Sequence, residues 1–375
     1  MTEIICYHCK IPYPSDGMPH RCLNCGGDFI HISGISYNPR LVEAGQLHSR
    51  MWRYVDSFGL PDRLSEISLG EGSTPLVWSN VDGKKVGFKL EYTNPTGSFK
   101  DRGTSILVSL LKYKGVGNVV EDSSGNAGAS LAAYAALAGI KVRIYVPEYA
   151  SGPKQSQIQA YGAEIIRVKG PRSAAAEAVA LEAAKGSIYA SHAYLPFGIP
   201  GYATIVYELL ETIGGPPGVV ITPVGQGNLL IGLILGCQAL IKIGLLQKMP
   251  KIIGVQSREC APLWAAFYYG ANGYMLIHEG NTIAEGIRIK YPIHGDYILN
   301  LMKSINGEFL IVSEEDIVVG INQLAKIGLY VEPTSAVVWK AIEILPDDYQ
   351  EPIVAIITGS GLKSNQTNII QAEIT

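Results

Sequence analysis

The stretch NVVEDSSGNAGASLAAYAALAGIKVRIYVP, residues 118–147, changes rhythm twice. NVVED (118–122) reads as a strand around two β-branched valines. AGASLAAYAALAG (127–139) is rich in alanine and closed by Gly139, which suits a helix. IKVRIYVP (140–147) is a strand again. Between the first strand and the helix lies DSSGNAGAS (122–130), whose small residues let backbone N–H groups approach an anion at a helix start. Strand, glycine-rich turn, helix and strand are the repeating unit of a parallel sheet.

The alternation continues outward. PKQSQIQAYG (153–162) reads as a helix, EIIRV (164–168) as a strand, SAAAEAVALEAAKG (173–186) as a helix, IYAS (188–191) as a strand and GYATIVYELLETIG (201–214) as a helix. GVVITPV (218–224), an apolar helix after Asn228 and KIIGVQ (251–256) follow. SEEDIVVGINQLAKIG (313–328) opens with a capping box, Ser313 with Asp316. PTSAVVWKAIEIL (333–345) has Pro333 at a helix start, and PIVAIIT (352–358) is a last buried strand. The expected fold is α/β, with two open, mostly parallel sheet domains carrying helices on both faces from about Val86 onward. Residues 34–69 show little periodicity.

Bulk composition agrees. The chain has 375 residues, enough for two or three domains and a well-buried core. Apolar residues are 47% and charged residues 17%, which fits a soluble globular enzyme. A net charge of −3 offers no basic field for nucleic acid. The opening MTEIICYHCK lacks a basic start followed by an apolar run, so the expected location is the cytoplasm. Residues 212–241 carry no charge, yet GGPPG and PVGQGN cut them into pieces too short to cross a bilayer; a buried strand and a buried helix are expected there.

Four of the six cysteines lie in the first 25 residues. Cys6 and Cys9 form one C-x2-C pair, and Cys22 with Cys25 form another after a twelve-residue spacer. That spacing suits a zinc ribbon with four thiolate ligands and no open position, hence a structural site. Two disulfides, or an empty site, are the alternatives. His8 and His20 are close in sequence but unnecessary to a shell of four cysteines, while Cys237 and Cys260 read as core residues.

Four loops have the composition for chemistry: GSFKDRG (97–103), DSSGNAGAS (122–130), PVGQGN (223–228) and TGSGLK (358–363). Any one glycine-rich turn is also an ordinary tight turn. PVGQGN lacks the dinucleotide spacing, because Leu230 stands three residues after Gly227, and no P-loop lysine follows it. What remains is a lysine, two anion-binding helix starts and a hydroxyl-bearing loop, a set that a small phosphorylated aldehyde would use in full.

EGSTPL, GSFKDRG, SSGNAGAS, PVGQGN, EPTSA and TGSGLK occur in the order found in fold-type II pyridoxal-phosphate enzymes, the tryptophan synthase β-subunit family, and within it the chain resembles the threonine synthases. The resemblance covers roughly residues 69–363. It implies that Lys100 bonds the aldehyde of pyridoxal 5'-phosphate, that Asn126 meets the ring hydroxyl, that Val224, Gly225, Gln226, Gly227 and Asn228 cradle the phosphate, and that Thr358 meets the pyridine nitrogen. Ser123, Ser124, Gly125, Asn126 and Ala127 would receive the substrate carboxylate. The implied domains are a ribbon at 1–33, a large cofactor-binding domain at 34–95 with 205–375, and a small domain at 96–204. A homodimer is implied as well. Bonding the cofactor requires an uncharged amine, which desolvation and nearby cations favour. Arg102 would help if it faces inward, or pair with Asp101 as structure.

The resemblance implies a lyase acting on a small amino acid: O-phosphohomoserine and water become threonine and phosphate. The family holds the departing phosphate partly through an arginine after the small domain's last strand. Here that segment offers Ser191, His192, Tyr194 and Tyr202, with no arginine between Tyr189 and Leu210. Ser191 and His192 are the expected substrate contacts, although a lone histidine after a strand is also a common packed or surface residue. Arg288 or Lys154 could supply the cation. TIAEGIRI (282–289) is closer to dehydratases and β-replacement enzymes acting on serine, threonine or phosphoserine, such as cysteate-synthase-like proteins. A non-catalytic amino-acid-binding regulator is the third reading, against which the intact Lys100 stands.

Overall fold

The computed structural model describes residues 4–31, 35–38, 50–276, 280–346 and 348–364. The described chain divides into two compact units, Met1–Gly72 with Asn94–Thr204 and Ser73–Thr93 with Ile205–Thr375. Residues 50–72 thus fall in the first unit with the cysteine-rich front end and residues 94–204, whereas the sequence groups them with the large domain. Part of the expected mixed segment and the ribbon boundary at Ser33 lie outside the described residues.

At the front, β1 (Ile4–Cys6) pairs antiparallel with β2 (Phe29–His31). The hairpin of β3 (Leu76–Val81) and β4 (Lys84–Leu90) comes next. Then α1 (Lys100–Tyr113), β5 (Asn118–Glu121), α2 (Asn126–Ala138), β6 (Lys141–Pro147), α3 (Pro153–Ala160), β7 (Glu164–Val168), α4 (Arg172–Ala184) and β8 (Ile188–Tyr189) alternate. After α5 (Ile199–Ile213) come β9 (Val219–Pro223), α6 (Asn228–Lys242), β10 (Lys251–Ser257), α7 (Pro262–Tyr269), α8 (Gly295–Ser304), β11 (Glu308–Val312), α9 (Glu314–Lys326), α10 (Pro333–Glu343) and β12 (Ile353–Ile357).

In the first unit the strand order is β7-β6-β5-β8, all parallel. Chain direction across the sheet reverses between β5 and β8. Crevices at such a reversal, beyond the carboxyl ends of strands, are where open α/β sheets bind ligands. The core under this sheet is built from Leu107, Leu111, Ala129, Tyr134, Ile144 and neighbours, and it includes Met18 from the front end. The expected strand at 188–191 is shorter: β8 ends at Tyr189, and Ser191 belongs to the turn beyond it.

In the second unit the order is β11-β10-β9-β12-β4-β3. All pairings are parallel except the β3–β4 hairpin at the edge. The reversal lies at β9 and β12, which are neighbours, with Val219 opposite Ile353. The loops after these two strands therefore open at the same edge. Every residue of β9 is buried, and α6 is buried almost all round, which accounts for the charge-free run at 212–241. Among the described residues no helix is long and apolar enough to cross a membrane. Ser313 caps α9 in a reciprocal box with Asp316, Pro333 occupies the first turn of α10, and Gly139 ends α2 in the left-handed region.

Candidate active site

In the first unit Lys100 is the first residue of α1, half-buried, with its Nζ 4.7 Å from the Phe99 ring centroid. The sequence treats GSFKDRG as a loop; its second half is helix. The neighbour Asp101 fixes the helix start. Its buried carboxylate accepts from Thr96 N at 2.7 Å, from Thr96 Oγ1 at 2.6 Å and from Ser130 Oγ on α2 at 2.6 Å. An acid at a helix start is also favoured by the helix dipole. Arg102 is fully buried and donates to Thr204 Oγ1 at 2.8 Å, so it faces inward. Tyr202 is buried too, and its hydroxyl would lie 2.5 Å from a Cβ at Gly103, which is why this motif ends in glycine.

The loop 122–127 turns β5 into α2. No side chain caps α2, whose N-cap is Gly125, and a helix start of this kind is where backbone N–H groups bind anions. Ser123 and Ala127 are buried, and Ser124, Gly125 and Asn126 are half-buried. Ser123 Oγ accepts from Gly125 N at 3.3 Å, and Gln155 on α3 donates to the Ser124 carbonyl at 2.8 Å. Beyond β8, Ser191 is buried and its Oγ accepts from Ala193 N at 3.3 Å. His192 is half-buried, with Nδ1 at 3.5 Å from Oε1 of Glu121 at the end of β5. Burial first, then the charges of Lys100 and Arg172, push the His192 imidazole well below its usual range. Burial first, then neighbouring Asp122, push the Glu121 carboxyl well above its own, against the opposing pull of Arg172, Lys100 and the Ser123 backbone. Both shifts act against the charged form of each partner. Asp122 accepts from the Tyr189 hydroxyl at 2.6 Å and from Arg172 Nη2 at 3.4 Å.

Glu121→Gln tests these directions. A raised carboxyl contributes stability that is fully present below its unfolded pKa and is lost as pH rises through its folded pKa. Glutamine keeps the shape and cannot ionise. The variant is expected to melt above the wild type at about pH 8 and to converge on it near about pH 4. Equal melting temperatures at the higher pH would show that Glu121 is ionised in the folded protein.

In the second unit PVGQGN joins β9 to α6. Gly227 is the N-cap, with φ of +87°, and no side chain caps the helix. A Cβ at Gly225 would come within 2.8 Å of the Gly286 carbonyl oxygen and 3.1 Å of Ile287 Cα. Gln226 is half-buried and accepts from Ile293 N at 3.1 Å, while Val224 and Asn228 are buried. At the neighbouring strand end, buried Thr358 lies 3.0 Å from Ser335 Oγ, which in turn accepts from Gly359 N at 2.9 Å. Glu332 N donates to the Gly359 carbonyl at 3.0 Å. The EPTSA motif is thus a brace for the loop that bears Thr358. Gly286, in TIAEGIRI, donates its N–H to Thr334 Oγ1 at 3.1 Å.

In the front end the four Sγ atoms of Cys6, Cys9, Cys22 and Cys25 lie within 4.8 Å of one another. No disulfide joins the described cysteines, and Cys237 and Cys260 are buried. The two knuckles repeat each other: Lys10 N donates to the Cys6 carbonyl at 3.0 Å and Gly26 N to the Cys22 carbonyl at 2.8 Å. Lys10 and Gly26 both have positive φ, the backbone turn for which NCGG supplies its glycine. The Ile11 backbone N–H foremost, with neighbouring thiols, draws the Cys9 thiol down to about 6.

A family model described as pyridoxal-phosphate dependent enzyme matches residues 67–359. The chain belongs to this family of pyridoxal-phosphate-dependent enzymes. It is 34% identical to a threonine synthase of Methanocaldococcus jannaschii, the match covering 98% of this chain and 94% of that one. It is also 34% identical to a threonine synthase of Bacillus sp. strain ULM1, over 84% of this chain and 92% of the other. Among solved structures it is similar to a threonine deaminase from T.th., at TM-score 0.64 and 26% identity, with 76% and 92% of the two chains covered. Maize serine racemase shares the fold at TM-score 0.67 and 23% identity, with 80% and 91% covered.

Taken unit by unit, the residues present have the chemistry that the family's cofactor would need: in the first, an amine at a fixed helix start, Lys100; in the second, a helix start without a side-chain cap, at α6, and a braced hydroxyl, Thr358. Sequence reasoning missed Glu121, Arg172 and Ser335. Ser335 was within reach, since it sits in a motif already singled out. The only signal for Glu121 was an acid closing an apolar strand.

Proposed function

We propose that this chain is a threonine synthase, a lyase converting O-phosphohomoserine and water to threonine and phosphate. The observation that carries this reading is the near full-length likeness to threonine synthases, 34% over 98% of the chain, in a sequence that keeps Lys100 and the four loops. Pyridoxal phosphate, when bound, supplies a sink for the electron pair left when a proton is taken from carbon. Lys100 holds it covalently, and its amine, when not so bonded, moves protons between adjacent substrate carbons. Val224, Gly225, Gln226, Gly227 and Asn228 hold its phosphate through backbone N–H groups. Asn126 meets its ring hydroxyl. Thr358 would present a hydroxyl to its ring nitrogen, a partner without the charge that would favour the protonated ring.

The N–H groups of residues 123–127 bind the substrate carboxylate. Ser191 and His192 receive the leaving phosphate. Arg172, the first residue of α4, donates to the Asp122 carbonyl and carboxylate beside Glu121, and we assign it as the cation nearest this segment.

The four thiolates hold a structural zinc, which closes a tetrahedral shell. The chain works as a homodimer in the cytoplasm. For the dimer the support is the resemblance alone.

A second reading, a dehydratase or β-replacement enzyme, is favoured by the lack of arginine at 189–210 and by the likeness to a threonine deaminase. One assay separates the two. Purified protein is offered O-phosphohomoserine, serine and threonine, and phosphate and ammonia are measured. Equal release of phosphate and threonine is expected; ammonia without phosphate overturns the proposal.

A further inference from the structure

The sequence treats the ribbon as a module apart from the chemistry. Its contacts are otherwise. The segment 189–197, which carries Ser191 and His192, leaves a strand of only two residues at the edge of the four-stranded sheet. Little of that sheet remains to hold the segment beyond Tyr189. Ala190 and Leu195 anchor it in the core of the first unit, and the cysteine-rich front end holds it from the other side.

Arg21, the residue before Cys22, reaches in both directions. Its Nη1 donates to the Gly26 carbonyl of the second knuckle at 3.1 Å, and its Nη2 donates to the Tyr194 hydroxyl at 3.3 Å. The guanidinium also lies over the Tyr194 ring, 4.8 Å from its centroid. His20 packs edge-on against Tyr189 at 5.2 Å and Tyr194 at 5.4 Å. At the far end of the segment, His31 Nε2 is 3.0 Å from the Pro196 carbonyl oxygen, and Tyr13 packs edge-on against Phe197 at 5.0 Å. Both flanks of Ser191 and His192 are therefore pinned by residues of the cysteine-rich front end. Tyr189 carries the connection further, since its hydroxyl donates to Asp122, the residue beside Glu121.

We infer that Arg21, with His20, Tyr13 and His31, is a set of positioning residues that keeps Ser191 and His192 in the geometry for binding the substrate's leaving group. The four-thiol site acts through them, because it fixes the knuckle from which Arg21 projects. The functional half of this inference rests on the proposed contact of Ser191 and His192 with substrate. It concerns the substrate and not the cofactor: none of these contacts reaches the loop at 224–228.

The test uses the full-length holoenzyme, with hydrogen exchange read by peptide and steady-state kinetics on O-phosphohomoserine. Three forms are compared with the wild type: protein stripped of metal by a chelator, Arg21→Ala and Arg21→Lys. In the stripped protein and in Arg21→Ala, exchange at 189–197 is expected to rise while exchange at 224–228 and cofactor content hold. The KM should rise about tenfold with kcat within about twofold, the size of one lost cation–ring contact with its hydrogen bond. Arg21→Lys keeps a cation over the ring and should recover most of the KM. Arg21→Ala retains all four cysteines, so its arm stands whatever metal the purified protein contains. Unchanged exchange at 189–197 in both the stripped protein and Arg21→Ala overturns the structural step. Raised exchange with an unchanged KM overturns the functional step, and shows that Ser191 and His192 do not touch the substrate.

Discussion

Lys100→Ala is expected to remove covalently held cofactor and to lower turnover by at least about 10³-fold, the range in which loss of a positioned proton carrier falls. The prediction follows from how this lysine is held. Asp101 anchors the helix start through Thr96 and Ser130, so the backbone at position 100 is fixed whether or not the side chain is present. Removing the amine should leave α1, Asp101 and the buried Arg102 in place, and the variant should fold. Two roles disappear together: the covalent bond and the proton transfer. Added small amines can restore a proton carrier but not the tethered bond, so partial rescue of turnover without a protein-bound chromophore is the further expectation. Borohydride reduction followed by peptide mass analysis is the measurement. Wild-type protein should carry the label on the peptide containing Lys100. A labelled peptide in Lys100→Ala would show that another lysine holds the cofactor, and the assignment of roles around α1 would have to be abandoned.

The parallel framework was legible because alanine-rich helices and β-branched strands alternate with glycine-rich turns between them, a local pattern that local physics imposes. The β3–β4 hairpin was not. KKVGFKL contains three lysines, and Lys89 is nonetheless buried. What permits it is Glu208, whose Oε2 lies 2.7 Å from Lys89 Nζ across 119 residues of sequence, and no reading of the hairpin alone reveals that partner. The strand β11 was missed for another reason, since its apolar run of four residues, Phe309–Val312, carries too little period to be told from a buried helix segment. Within the candidate site the loops were legible from glycine and order. Glu121 beside His192, and Arg172 on Asp122, were not, because each pairing is made by the strand order β6-β5-β8 and not by any spacing along the chain. The cysteine-rich front end shows the same divide. Its cysteines announce themselves by spacing, while Arg21, His20 and Tyr13, which join it to the segment 189–197, look like ordinary surface residues in sequence.

The second large effect is expected at the cofactor's phosphate. Gly227→Val should weaken pyridoxal phosphate binding by at least about 10²-fold, or about 2.8 kcal/mol. Gly227 has φ of +87°, where a left-handed backbone costs an ordinary residue about 1–2 kcal/mol and makes a β-branched one an outlier. The new side chain would also press on Ile298, which is fully buried on α8. Relief of either strain rotates the peptide groups at 225–228, and those N–H groups are what an anion at the start of α6 would use. A control separates this local effect from a general loss of stability. Gly244, just past the other end of α6, also has positive φ, at +79°, but a Cβ there meets nothing within 4 Å. Gly244→Val imposes the same kind of backbone strain on the same helix, away from the anion seat. It should lower the melting temperature and leave the cofactor's Kd close to that of the wild type. Titration of cofactor-free protein, followed by absorbance, gives both constants. If the two variants bind the cofactor equally well, residues 224–228 are an ordinary turn and the phosphate is held elsewhere.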